Sequence, residues 1–126
     1  MQLSLFIASS VVFLRTKACM PTSPTTSPCT SCTKDEITVT TSGAGAHAMA
    51  SDVIATNAAG CSTRTFMCDG NMANIEWNGG ARGVTSDGDD GAVDMVAQQT
   101  LTCNADGQWT IAPDDTVITQ AECASL

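Results

Sequence analysis

Tyrosine is missing from this 126-residue chain, and aromatics make up only 4% of it. A core without many large rings must be assembled from Val, Ile, Leu, Met and Ala around two Trp and three Phe, so it is thin. Bases are scarce too: five Lys and Arg stand against 13 Asp and Glu, a formal charge of −8. A surface of that sign repels phosphate backbones and anionic lipid, which argues against nucleic-acid binding. No apolar run is long enough to span a bilayer, the longest being the 12 residues Leu3–Leu14. There is no Asn-x-Ser/Thr sequon, since Asn57, Asn71, Asn74, Asn78 and Asn104 all fail at the third position. Gly-x-Ser-x-Gly, a phosphate loop and a paired-carboxylate signature are also absent.

Cysteine, by contrast, is plentiful. Seven in so short a chain point to an oxidising compartment, where bridges supplement a core too small to hold a fold alone. The Leu3–Leu14 run has the length of a secretory h-region, and Thr16-Lys17-Ala18 places small residues at −3 and −1. Residues 1–18 therefore read as a signal peptide cleaved after Ala18, with no membrane span left afterwards. Arg15 and Lys17 leave with it, so Lys34, Arg64 and Arg82 remain as the bases of the mature chain. Residues 19–28 form a spacer in which Pro21–Pro28 is only Pro, Thr and Ser. Such a run favours extended, solvated backbone and suits O-glycosylation.

The folded part is expected as one domain over residues 29–124. Segments rich in β-branched residues and bounded by turn formers predict about seven short strands, near 37–41, 53–56, 63–68, 73–77, 99–103, 108–111 and 116–118. Phe66/Cys68, Ile75/Trp77 and Leu101/Cys103 show the period-2 spacing of one buried face. Ser42–Ala50 and Asn78–Gly91 read as loops. The fold class is all-β, a small disulfide-stapled sandwich. Its sharpest local signal is Leu101-x-Cys103-x3-Gly107-x-Trp109, two β-segments about an Asp-Gly turn in which Gly107 takes φ > 0 and Trp109 lies back over a bridge.

Few residues invite chemistry. Cys29-x2-Cys32 fits half a zinc site, a redox pair or two members of a disulfide framework; the framework is preferred, because the secretory context argues against the loose second pair Cys61-x6-Cys68 as zinc ligands and no βαβ setting accompanies the motif. Asp87, Asp89, Asp90 and Asp94 suggest calcium, but the EF-hand template fails: counting from Asp87, the sixth position is Ala92 and the twelfth is Gln98. A solvated acidic loop is the reading adopted. His47, the single histidine, sits in a Gly/Ala loop with no acid or nucleophile close in sequence. No catalytic residue, metal or cofactor is expected.

With these residues in view, the chain resembles the six-cysteine extracellular domain found in nematode proteins, whose function is unknown. That family presents a signal peptide, a Thr/Ser/Pro-rich spacer, Cys-x2-Cys, two middle cysteines, and Leu-x-Cys-x3-Gly-x-Trp before a final Cys. Here these are Cys29, Cys32, Cys61, Cys68, Cys103 and Cys123, with Leu101, Gly107 and Trp109. Some members lack the first and third cysteines together, which implies a Cys29–Cys61 bridge. A more distant resemblance to complement-control (sushi) modules implies Cys32–Cys103 and Cys68–Cys123. An immunoglobulin-like reading instead joins Cys68 to Cys103 beside Trp77 and leaves Cys32 for Cys123; the short interval from Cys68 to Trp77 favours the former. Cys19 falls outside the six and is expected to be free or to link a dimer. The reading that follows is a secreted, non-enzymatic module binding an extracellular protein or glycan, or serving at a surface or in a matrix. The alternative is a small secreted effector or inhibitor of a partner enzyme.

Overall fold

Alternation along Ser62–Asp69 (β4) turns Arg64, Phe66 and Cys68 inward, and along Val96–Cys103 (β7) it does the same for Ala97, Leu101 and Cys103. These two strands pair antiparallel over seven residues and form the centre of one sheet. The computed structural model describes residues 28–126, so the expected signal segment, Cys19 and the spacer before Pro28 lie outside the described residues. The remaining strands are Thr38–Thr40 (β1), Ala46–His47 (β2), Ser51–Thr56 (β3), Asn74–Trp77 (β5), Gly83–Ser86 (β6), Trp109–Ile111 (β8), Thr116–Val117 (β9) and Gln120–Ala124 (β10).

Two five-stranded sheets result. One runs β3-β4-β7-β8-β9; the other runs β1-β10-β5-β6, with β2 also on β10. β10 is flanked by β5 on one side. On the other, β1 lies parallel along residues 120–122 and β2 antiparallel along 123–124. Against the seven expected strands, β2, β6 and β10 are additional. β6 is hidden among glycines, and Gln-Ala-Glu-Cys-Ala has little intrinsic preference for extended backbone; pairing on both sides supplies what propensity does not.

The sheets meet face to face. Phe66 on β4 packs edge-on against Trp77 on β5, with ring centroids 5.7 Å apart. Trp77 Nε1 donates to Thr85 Oγ1 at 2.9 Å, and that hydroxyl donates to Gln99 Oε1 at 3.0 Å, so a short polar chain ties β5 and β6 to β7 across the interface. Trp77, Trp109, Phe66, Ile75 and Leu101 are completely buried, each contributing on the order of 1.5–3 kcal/mol. Three bridges cross this frame: Cys29–Cys61, Cys32–Cys103 and Cys68–Cys123. The last joins β4 to β10, one sheet to the other. Cys68 is not bonded to Cys103.

At the β7–β8 turn Gly107 has φ 75°, and Asn104 Oδ1 accepts from the N–H groups of Asp106 and Gln108 at 2.9 Å each. Ser31 Oγ lies 2.7 Å from where a Cβ on Gly107 would sit, so any other residue would be strained by φ and would have to displace the Ser31 hydroxyl. Trp109, directly opposite Cys103, donates from Nε1 to Thr33 O at 2.7 Å and so holds the Cys32 segment down. Nearby, Arg64 is only 2% exposed. It meets Asp52 through two bonds of 2.8 and 2.9 Å, donates to Lys34 O at 3.0 Å, and lies 4.6 Å from the Phe66 ring centre. Lys34 Nζ covers the edge strand β3 by donating to Asp52 O at 2.8 Å.

Glu122 on β10 fastens the loop after β1. Its carboxylate accepts from Thr40 Oγ1 and Ser42 N at 2.8 Å and from Gly43 N at 3.3 Å. The Thr40 hydroxyl first, then the Ser42 N–H, hold this carboxyl below the ordinary glutamate range. Because the folded pKa is depressed, the group's contribution is complete above the unfolded pKa of about 4.3 and is lost as pH falls through the lower folded value. Melting temperatures of wild type and Glu122→Gln are therefore expected to differ at neutral pH and to converge below about pH 4. A difference that stays unchanged well below that pH would contradict the assignment.

Candidate functional site

Two places in the fold gather chemically capable side chains. The first is built on β2, which brings His47 opposite Cys123. The ring Nδ1 lies 2.9 Å from Ala48 O, and since a carbonyl only accepts, Nδ1 carries the proton. Nε2 is then free to accept from Ser125 Oγ at 3.0 Å. Both ring nitrogens lie within 3.7 Å of Cys123 Sγ, so the imidazole covers the Cys68–Cys123 bridge. Gly70, at φ 126°, has no room for a Cβ because Ser125 packs against it.

A serine hydroxyl on a histidine Nε2 is half of a nucleophilic pair. Here, however, the group behind Nδ1 is a neutral carbonyl, not a carboxylate that would stabilise an imidazolium. The surface hollows beside Trp109, beside Met72 and Met95, and beside Thr85 are lined by neither His47 nor Ser125. The arrangement works as a latch that holds the segment after β10 against β2 and Gly70. His47, Cys68 and Cys123 also place three ligand-type atoms within 4.8 Å of one another, but both sulfurs are spent on one disulfide and offer no thiolate to a metal. Cys29 and Cys32 go to different partners and so form neither half of a zinc site nor a redox pair.

The second place is the β6–β7 connection. Asp87 accepts from Asp94 N at 3.0 Å and Met95 N at 3.1 Å. Asp89 accepts from Ser86 N at 2.7 Å, Asp90 from Ala92 N at 3.0 Å, and Asp94 from Val96 N at 3.2 Å. The four aspartates thus organise their own loop instead of converging on one point. Millimolar Ca²⁺ is expected to leave the melting temperature unchanged, whereas a cation at 100-fold over its Kd raises stability by about 2.7 kcal/mol. A clear upward shift would restore the calcium reading.

Beside this loop lies a shallow hollow of about 430 Å³ whose lining includes Met72, Val93, Met95 and Asp87. The three apolar side chains are 65%, 87% and 54% exposed. Sequence reading passes over them because isolated methionines in turns carry no periodic signal. What distinguishes Met72 and Met95 is backbone, φ 52° and 67°, a conformation that sequence does not display for non-glycine residues. The expected core and turn residues Leu101, Gly107, Trp109 and Trp77 lie in the scaffold, away from this hollow.

Comparison with curated proteins and with solved structures finds no match. A family model does match, from Cys32 to Cys123, with the bridged Cys29 just before it. The chain, a small disulfide-rich β-module, belongs to the C6 domain family.

Proposed function

We propose that this chain is a secreted, non-enzymatic extracellular module that acts by binding, as a recognition unit or as a surface or matrix protein. The observation that supports it is the commitment of all six cysteines from Cys29 to Cys123 to three bridges, a state that an oxidising compartment maintains. The apolar run Leu3–Leu14 and the Pro/Thr/Ser stretch fit export and a stalk. Against catalysis stands His47, with one ring nitrogen on a carbonyl and the other on the serine it latches. No helix among the described residues is long and apolar enough to cross a membrane.

Expression of the full chain in a secretory host tests this. Protein from the medium is expected to begin at Cys19, with that cysteine either a free thiol or the link of a disulfide-bonded dimer that Cys19→Ser converts to monomer. An intact Met1 in a membrane fraction would overturn export, and Cys19 bridged within its own chain would overturn the stalk.

A further inference from the structure

We propose that the hollow formed by Met72, Val93 and Met95 docks a cationic segment of an extracellular protein partner, seating one of its aliphatic side chains between the two methionines; this deepens the binding-module reading and rests on it. Other large apolar side chains are exposed on the domain, Val39, Val53, Ile54 and Val84 among them, but Met72, Val93 and Met95 line one hollow together. Thioether side chains adapt to the shape of what they meet, which suits a surface that receives a side chain. The N–H of Leu126 is bonded to the carbonyl of Asn71, a residue of the lining, at 2.8 Å.

Charge decides the class of occupant. Asp87 lines the hollow, Asp94 sits between Val93 and Met95 in the chain, and Asp89 and Asp90, in the same loop, border a separate hollow over Thr100. Among the described residues the cations are Lys34, Arg64 and Arg82; the first two are held at Asp52 and the third at Asp114. The aspartates beside the hollow therefore keep their field, which attracts lysine and arginine and repels acidic partners. A glycan is the poorer fit. Sugar faces stack on exposed aromatic rings, and the described aromatics, Phe66, Trp77 and Trp109, are completely buried.

The test is fluorescence anisotropy with the full mature chain and a labelled peptide of alternating lysine and leucine. Peptides of lysine with serine and of glutamate with leucine serve as controls. Only the lysine–leucine peptide is expected to bind, with affinity falling as salt rises. The variant Met72→Asn/Val93→Ser/Met95→Asn is expected to weaken binding about tenfold or more. Asparagine tolerates the left-handed backbone at both methionine positions, so an unchanged melting temperature keeps the comparison clean. Asp89→Asn/Asp90→Asn should weaken binding and flatten its salt dependence. Equal binding of the lysine–serine peptide, full binding by the methionine variant, or neutral oligosaccharides binding here in place of peptide would each overturn the proposal. Those outcomes alongside normal export from Cys19 would remove this surface while leaving the extracellular module intact.

Discussion

Cys68→Ala with Cys123→Ala is expected to remove most of the domain's stability. The bridge spans 55 residues, and the chain-entropy model assigns a loop of that size about 4 kcal/mol. For a domain with a total of about 5–15 kcal/mol, that is a large share. The location adds to it. Both sulfurs are completely buried and they fasten β4 to β10 across the two sheets, beneath the His47 ring. Cys29–Cys61 spans 32 residues between half-exposed positions, the second of them directly before β4, so its removal is expected to cost several kcal/mol yet leave a folded domain. Loss of Cys103 is expected to be worse than loss of the Cys29–Cys61 pair. It opens the 71-residue loop under Trp109 and leaves Cys32 as a thiol that can mispair. Urea denaturation of the variants, with non-reducing peptide mapping of each, gives the ranking. A Cys29/Cys61 variant that melts below the Cys68/Cys123 variant would contradict it.

Asp52→Ala is expected to cost about 3–5 kcal/mol, far more than a carboxylate on an edge strand usually contributes. The reason is the partner it abandons. Arg64 is fixed between the Phe66 ring and Lys34 O, and without Asp52 its charge remains inside with one carbonyl to satisfy it. Arg64→Met, which removes the buried charge and keeps much of the side chain's volume, is expected to be the milder change. The double variant should lie near Arg64→Met alone, and a double-mutant cycle in denaturant measures the coupling. Additive losses would mean that the pair acts as two independent contacts.

Much of the frame was legible because it is written in side-chain alternation. Phe66/Cys68, Ile75/Trp77 and Leu101/Cys103 each face the core in the structure, and Gly107 turns with positive φ where the Asp-Gly pair stands. β10 was not legible: its residues are no more strand-like than helical, and only its neighbours make it extended. β6 disappeared for a different reason: Val84 and Thr85 favour strands, but they stand in a glycine-rich stretch that reads as loop. Arg64 reads as a solvated base until Asp52 and Phe66 are found around it. The His47 latch depends on a residue 78 positions away, and the methionine hollow on two backbone angles. Neither leaves a pattern in the order of residues. The acidic stretch was readable in composition; that its carboxylates hold the loop's own N–H groups was not.

The position of β10 between β5 and the pair β1 and β2 has a consequence for biosynthesis. Every strand that β10 touches is made before it, so during translation β5 has no partner on that side and β1 and β2 have none to join. Cys68 likewise waits as a thiol for a cysteine 55 residues downstream, while Cys61, much closer to Cys29, finds its partner early. The order of emergence from the ribosome thus favours Cys29–Cys61 first, then Cys32–Cys103, and Cys68–Cys123 last. Until that final thiol arrives, one sheet is open and Cys68 is exposed to wrong partners, so an oxidoreductase that can undo early errors should speed maturation more than oxidant alone.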